Sequence, residues 1–208
     1  MRPFDDATRR NIAAACAAFT RAPEAGKQST LKRAAVAIAL TATDDGRDTA
    51  MLLTRRASSL RAHRGQWALP GGRCDAGETA IEAGLRELDE ELGLQLAADS
   101  VLGLLDDYPT RSGYLITPVV VWAAADHAIR PNPDEVASVH RIALDTIEGD
   151  EAFDFVAIPE STRRVIRFHR PGGLIHAPTA ALIYQFREVL AGRATRVAEL
   201  EQPVFAWK

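Results

Sequence analysis

The chain has 208 residues, of which 47% are apolar and 25% are charged, and its net charge is −3. This balance supplies enough apolar residues for a folded core and lacks the strong positive charge that attracts nucleic acid, so nucleic acid is not an expected partner. The two cysteines, Cys16 and Cys74, show neither metal-binding nor disulfide spacing, and no apolar run reaches the length of a membrane span, which favours a cytoplasmic protein without a membrane partner.

The first half of the chain predicts one helix followed by a hairpin. Apolar residues recur at helical spacing over residues 5–20, and residues 21–30 contain the Pro, Gly and Ser that are typical of a linker. The apolar run Ala34–Leu40 and the segment Ala50–Thr54 predict two strands. Turn residues at 44–46 lie between them, so we expect the two strands to pair as a hairpin.

The rest of the chain predicts alternating strands and helices. Residues 55–76 are polar and glycine-rich, and a helix is expected from Glu78 to Leu92, ended by Gly93. Residues 145–170 fit no single element. The other predicted elements are strands at Val101–Leu105, Leu115–Ala123 and Val136–Ile142 and a helix over residues 178–191. Helices between strands predict an α/β fold.

The helix predicted at residues 78–92 carries three carboxylates on one face. At about 100° per residue, Glu87, Glu90 and Glu91 lie within about 100° of one another, beside an apolar stripe. Like charges repel, and they are also unfavourable near the C-terminus of a helix. Oxygen ligands converging from one side suit Mg²⁺ or Mn²⁺. An isolated acidic cluster of this kind is more typical of a solvated face that pairs with Arg86.

The residues around this cluster favour the metal site. Gly71 and Gly72 lie just ahead of the helix, where glycine permits backbone conformations that let a carbonyl join a metal shell. Glu78 is expected in the first turn of the helix. Arg86 follows eight residues later and is expected to brace Glu78 or a metal-binding carboxylate.

In order, the chain reads Gly72, five residues, Glu78, seven residues, then Arg86-Glu87-Leu88-Asp89-Glu90-Glu91-Leu92-Gly93-Leu94. This resembles the Nudix box at every defining position. The resemblance implies hydrolysis of a nucleoside diphosphate linked to another group, and a Nudix-type α/β/α sandwich around a mixed β-sheet, here with additional N- and C-terminal helices. It implies catalytic roles for Glu78, Arg86, Glu87, Glu90 and Glu91, and a Mg²⁺ or Mn²⁺ ion held by Glu87, Glu90, Glu91 and the backbone of Gly72.

The segment before the box narrows the substrate. Leu52-Leu53-Thr54-Arg55-Arg56-Ala57, Leu60-Arg61, His63, Gly65-Gln66 and Leu69-Pro70-Gly71-Gly72 are similar to a motif of coenzyme A diphosphatases. Ala57 and Leu69 depart from that pattern, which has Ser and Phe there. The resemblance implies cleavage of coenzyme A or acyl-coenzyme A to 3′,5′-ADP and (acyl-)4′-phosphopantetheine.

The residues expected to bind this substrate are Arg55, Arg56, Arg61, His63, Arg64, Gly71 and Gly72. For each arginine, a solvated loop position is an equal alternative. Glu135 fits either a catalytic role or, with more weight, a structural one at a strand end. Trp67 is expected in the core.

Two other functions stay open at this point. One is a Nudix hydrolase of ADP-ribose or another nucleotide derivative, and the other is a non-catalytic Nudix-fold regulatory module. The domain division predicted is a helix and linker over residues 1–30 and a single Nudix hydrolase domain with a C-terminal helical extension over residues 31–208. The segment 145–208 is expected to shape the pocket or a homodimer surface.

Overall fold

The computed structural model describes residues 1–22, 30–58, 65–124, 127–170 and 172–203. Its helices are α1 (Asp6–Ala18), α2 (Ala80–Leu92), α3 (Leu144–Glu148) and α4 (Thr179–Leu190). Its strands are β1 (Lys32–Ala42), β2 (Thr49–Arg56), β3 (Trp67–Ala68), β4 (Gly71–Arg73), β5 (Val101–Leu104), β6 (Tyr108–Pro109), β7 (Tyr114–Trp122), β8 (Val136–Ala143), β9 (Phe153–Ile158), β10 (Ser161–Arg170) and β11 (Gly173–His176).

The main sheet is mixed. Its strand order is β3-β2-β1-β7-β5. β8 pairs with the edge of β2 that faces away from β1 and β3. β1 and β7 are parallel along nine residue pairs, whereas β1 and β2 pair antiparallel at Leu40↔Met51, Thr41↔Ala50 and Ala42↔Thr49. The hairpin predicted over residues 34–54 is therefore confirmed. Beyond those three pairs β1 and β2 separate, and β4 pairs with β1 while β3 pairs with β2.

The two faces of this sheet are packed by different structures. Side chains alternate along a strand, so successive residues of β1 point to opposite faces. On one face, Ala35, Ala37 and Ala39 pack against α2. These small side chains, and Gly84 of α2, let the helix lie close to the sheet, since a Cβ at Gly84 would lie 3.2 Å from Val119 Cγ2.

The opposite face carries larger side chains. Ile38 and Leu40 of β1, with Leu53 of β2, join a core that includes α1, α4 and a second, antiparallel sheet of order β11-β10-β9. The predicted N- and C-terminal helices are thus confirmed, and both pack on this face. The α/β class and the layered arrangement around a mixed sheet are confirmed as well.

Several local expectations need correction. α2 begins at Ala80, not at Glu78, because Thr79 caps it: its side chain accepts from the Glu82 N–H while Glu82 accepts from the Thr79 N–H. Glu78 therefore lies ahead of the helix and not in its first turn. The segment 145–170, left unassigned from the sequence, forms most of α3, all of β9 and all of β10. None of the helices formed by the described residues has the length and hydrophobicity to cross a bilayer.

Candidate active site

Arg86 organises the acidic face of α2. Its Nε and Nη2 donate to the two carboxylate oxygens of Glu78 at 2.9 and 3.1 Å, and Nη1 donates to Glu87 at 3.0 Å and Glu90 at 2.8 Å. Nη2 also donates to the Arg73 carbonyl at 2.9 Å. The hydrogen bonds from Arg86 lower the pKa of Glu78, and Glu78 in turn raises the pKa of Arg86. The expected contact between Arg86 and Glu78 is present, and it holds the loop before α2 against the helix.

The three glutamates differ in their surroundings. The Glu91 side chain is 5% exposed, that of Glu87 is 14% exposed and that of Glu90 is 54% exposed. Burial raises the pKa of Glu87, and burial together with the negative charge of Glu87 raises the pKa of Glu91 to about 8. Helical spacing predicts all three beside the apolar stripe, whereas Glu91 is in fact buried.

Gly71 and Gly72 bring the main chain against both buried carboxylates. The Gly71 N–H donates to Glu91 Oε2 at 3.3 Å, and its φ of 151° excludes other residues, because a side chain would collide with β1 at Ala35 and Val36. A Cβ at Gly72 would overlap the Glu87 carboxylate. Both glycines are therefore required by contacts within the protein.

The site offers carboxylate oxygens to a divalent cation. Among the described residues, no three His, Cys, Asp or Glu side chains form a ready-made metal cluster, and Arg86 lies between Glu87 and Glu90. However, Glu87 and Glu91 are two buried carboxylates that repel each other, and burying such charges is costly without a cation. Hard oxygen donors of this kind fit Mg²⁺ or Mn²⁺.

Of the arginines before the box, the structure describes Arg55 and Arg56, and these two do not converge on one point. Arg56 faces the glutamates, with Nη1 3.8 Å from Glu91 Oε1, and its buried Nε has no hydrogen-bond partner among the described residues. Arg55, the preceding residue of β2, points to the opposite face and donates to the Gly65 carbonyl at 3.2 Å. Arg61, His63 and Arg64 lie outside the described residues.

The loop before β8 closes the end of α2. The Arg130 N–H donates to the Leu92 carbonyl at 2.7 Å, and the Asn132 N–H donates to the Glu91 carbonyl at 2.9 Å. The Glu135 main-chain carbonyl accepts from the Ala57 N–H at 2.8 Å at this strand end. Its carboxylate also contributes to the raised pKa of Glu87 and Glu91, so it faces the same site.

Trp67 and Arg170 lie near Arg55, and neither was expected to belong to a site. Trp67, expected in the core, is only partly buried, with the Arg170 guanidinium 3.6 Å from its ring centroid and the His140 ring edge-on at 4.5 Å. Arg170 closes the segment that fitted no single element, so the sequence contained no signal for this contact.

The chain matches the family model described as the NUDIX domain over residues 31–161. It is similar to a protein named uncharacterized Nudix hydrolase NudL from Pectobacterium atrosepticum, with 44% identity over 151 residues, which is 69% of this chain and 76% of that protein. A second protein of that name, from Photorhabdus laumondii, is 33% identical over 66% of this chain and 75% of its own length. Among solved structures, the Nudix hydrolase RenU from M. smegmatis is 27% identical, with a TM-score of 0.44 over 55% of this chain and 72% of that one.

Proposed function

This chain belongs to the NUDIX hydrolase family, whose members are pyrophosphohydrolases, and we propose that its substrate is coenzyme A or an acyl-coenzyme A. The observation that carries the proposal is the segment from Leu52 to Gly72, which is similar to the motif of coenzyme A diphosphatases and has two residues beside the glutamates. Arg56 reaches Glu91, and Gly72 lies against Glu87.

The reaction proposed is attack of water on one phosphorus of the diphosphate, with cleavage of the bridging P–O bond. The products are 3′,5′-ADP and (acyl-)4′-phosphopantetheine. Glu87, Glu90 and Glu91, with the backbone at Gly72, would hold Mg²⁺ or Mn²⁺, which when bound neutralises phosphate charge and lowers the pKa of a coordinated water. A carboxylate of this set accepts the proton of the attacking water.

The other side chains of the site position these groups. Arg86, fixed by both oxygens of Glu78, orients Glu87 and Glu90 through direct hydrogen bonds. Arg56 lies 3.8 Å from Glu91 and supplies a positive charge for the diphosphate. We propose that this machinery belongs to a hydrolase domain over residues 31–208, preceded by a helix and linker over residues 1–30.

The two departures from the coenzyme A diphosphatase pattern do not weaken the proposal that coenzyme A is the substrate. Ala57 is 4% exposed and Leu69 is 3% exposed, so both fill the interior. Neither position presents its side chain on the surface of the protein. The alternative of ADP-ribose or another nucleotide derivative therefore gains no support from them.

The proposal is tested by assaying hydrolysis of coenzyme A, ADP-ribose and dinucleoside polyphosphates with and without Mg²⁺, and by identifying the products. We expect 3′,5′-ADP to form from coenzyme A only when the metal is present. Hydrolysis of ADP-ribose but not of coenzyme A would refute the substrate and leave the reaction unchanged.

A further inference from the structure

Four side chains from four strands meet on the sheet face opposite α2. Arg55 of β2 lies directly across from Trp67 of β3, and across from Ser138 of β8 on its other side. His140 follows two residues after Ser138, on the same face, and packs edge-on against Trp67 at 4.5 Å. Arg170, the last residue of β10, stacks on the same ring at 3.6 Å. We name Arg55, Trp67, His140 and Arg170 the basic cluster.

The basic cluster is held in place by α4 and by the second sheet. Thr179, the first residue of α4, donates from its hydroxyl to the Trp67 carbonyl at 3.5 Å. β10 pairs with β11 through Arg170↔Gly173 and with β9 through Phe168↔Phe153. Arg170 therefore contacts Trp67 from the end of a strand that is paired with both of its neighbours. It lies beyond the residues that match the NUDIX domain model, which end at 161.

The charges of this cluster act against one another. Besides burial, the positive charges of Arg170 and Arg55 lower the pKa of His140, and Arg55 also lowers the pKa of Arg170. Like charges brought together at a partly buried ring are unfavourable in the free protein. An anion bound among them reverses the sign of that interaction, and a guanidinium offers parallel N–H groups that fit the oxygens of a phosphate.

The basic cluster and the glutamates share one rim of the sheet. Arg55 and Arg56 are consecutive residues at the end of β2 and point to opposite faces. The pairing with β8 shifts between them, from Arg55↔Ser138 to Arg56↔Val136, and the extra residue of this bulge, Ala137, lies in β8. For one ligand to engage both sites, its two phosphate groups must lie on either side of this rim.

We propose that Arg55, His140 and Arg170 form a subsite for a phosphate monoester of the substrate, remote from the diphosphate that is cleaved. This inference rests on the proposed function, in which that group is the 3′-phosphate of coenzyme A. Trp67 is a positioning residue, because its ring holds Arg170 and His140 in place.

The test measures binding of adenosine 3′,5′-bisphosphate and of adenosine 5′-monophosphate by calorimetry, with full-length wild type, Arg170→Met, Arg55→Met and the control Arg163→Met. Arg163 lies on the same strand β10, but it is paired with Glu199 at 3.2 Å, away from the cluster. We expect wild type and the control to bind the bisphosphate at least about 10-fold more tightly than the monophosphate, because hydrogen bonds to charged groups are strong. In each cluster variant this preference is expected to fall to about 2-fold or less.

Two results would overturn the subsite: a wild type without preference for the bisphosphate, or folded cluster variants that retain it. Arg55 is exposed, so its variant tests the subsite even where Arg170→Met does not fold. This test can refute the subsite without refuting the proposed substrate, and the reverse also holds. A wild type that prefers the bisphosphate but does not hydrolyse coenzyme A refutes the substrate while supporting the subsite.

Discussion

The two faces of the main sheet are specialised in opposite directions. The α2 face has small side chains, a closely packed helix and buried carboxylates at its rim. The opposite face has large side chains, two helices and a second sheet, and its rim carries arginines and a histidine. The difference suggests that the sheet separates the chemistry of bond cleavage from the recognition of the rest of the substrate. Each of the following changes alters one face and leaves the other intact.

The largest effect is expected from Glu91→Gln on the α2 face. It removes one of two buried carboxylates without changing the shape of the side chain, and kcat is expected to fall about 10³-fold. The free energy of unfolding without metal is expected to stay the same or rise, since folding of the wild type requires Glu91 either to bury its charge or to take up a proton. Steady-state kinetics and urea denaturation measure both quantities.

Asp89→Asn is the matched control for Glu91→Gln, because Asp89 is an exposed acid on the same helix. It is expected to retain wild-type kcat. Near-normal turnover in Glu91→Gln would show that this carboxylate is not part of the catalytic site.

A smaller effect is expected from Gly72→Ala. The added methyl group would overlap the Glu87 carboxylate and displace it. Misplacing a catalytic group by about 1 Å can cost about 10²-fold, so kcat is expected to fall by about that factor. Gly149→Ala serves as the control, since its Cβ would meet only ordinary contacts at 3.7 Å. Equal kinetics for the two variants would contradict the role of this close approach.

The smallest effect is expected from Glu201→Gln, which changes the stability of the fold and not its activity. Glu201 is 2% exposed and accepts hydrogen bonds from Arg111 and Ser161, which tie the C-terminal segment to β10 and to the loop before β7. The hydrogen bonds from Arg111 lower its pKa from 4.5 to about 2. Because the folded pKa is the lower one, this stabilisation is complete above about pH 4.5 and is lost as the pH falls towards 2.

Urea denaturation across this pH range measures that contribution. Wild type is expected to lose about 2–3 kcal/mol more than Glu201→Gln between pH 5 and pH 2. Parallel curves for the two proteins would show that Glu201 is not stabilised by Arg111. The kcat at neutral pH is expected to be the same for both.

The α2 face was predictable because its signals are local. The spacing of the glutamates and Gly93 at the helix end lie within about four helical turns, so both can be recognised from one short stretch of sequence. The burial of Glu91 was not predictable, because its cover comes from Arg56 and Gly71 on strands far away in the sequence. The start of α2 at Ala80 follows from the capping box of Thr79 and Glu82, a pattern that the sequence contains.

The opposite face was less predictable. β10 reads Ser-Thr-Arg-Arg-Val-Ile-Arg-Phe-His-Arg and has a register irregularity between Ser161 and Val165, so it lacks a clean alternation of polar and apolar residues. The contact of Arg170 with Trp67 joins residues about a hundred positions apart. No periodicity in one segment reports a contact of this kind.

The separation of β1 from β2 has a consequence for substrate length. β3 and β4 lie in one short segment that crosses between those strands, with Trp67 at its start and Gly72 near its end. A fully extended chain spans at most about 3.3–3.6 Å per residue, so these five steps set an upper limit of about 17 Å between the two ends. If the proposed subsite binds the second phosphate, this limit also bounds how far apart the two ends of the segment can hold the phosphate groups of one ligand.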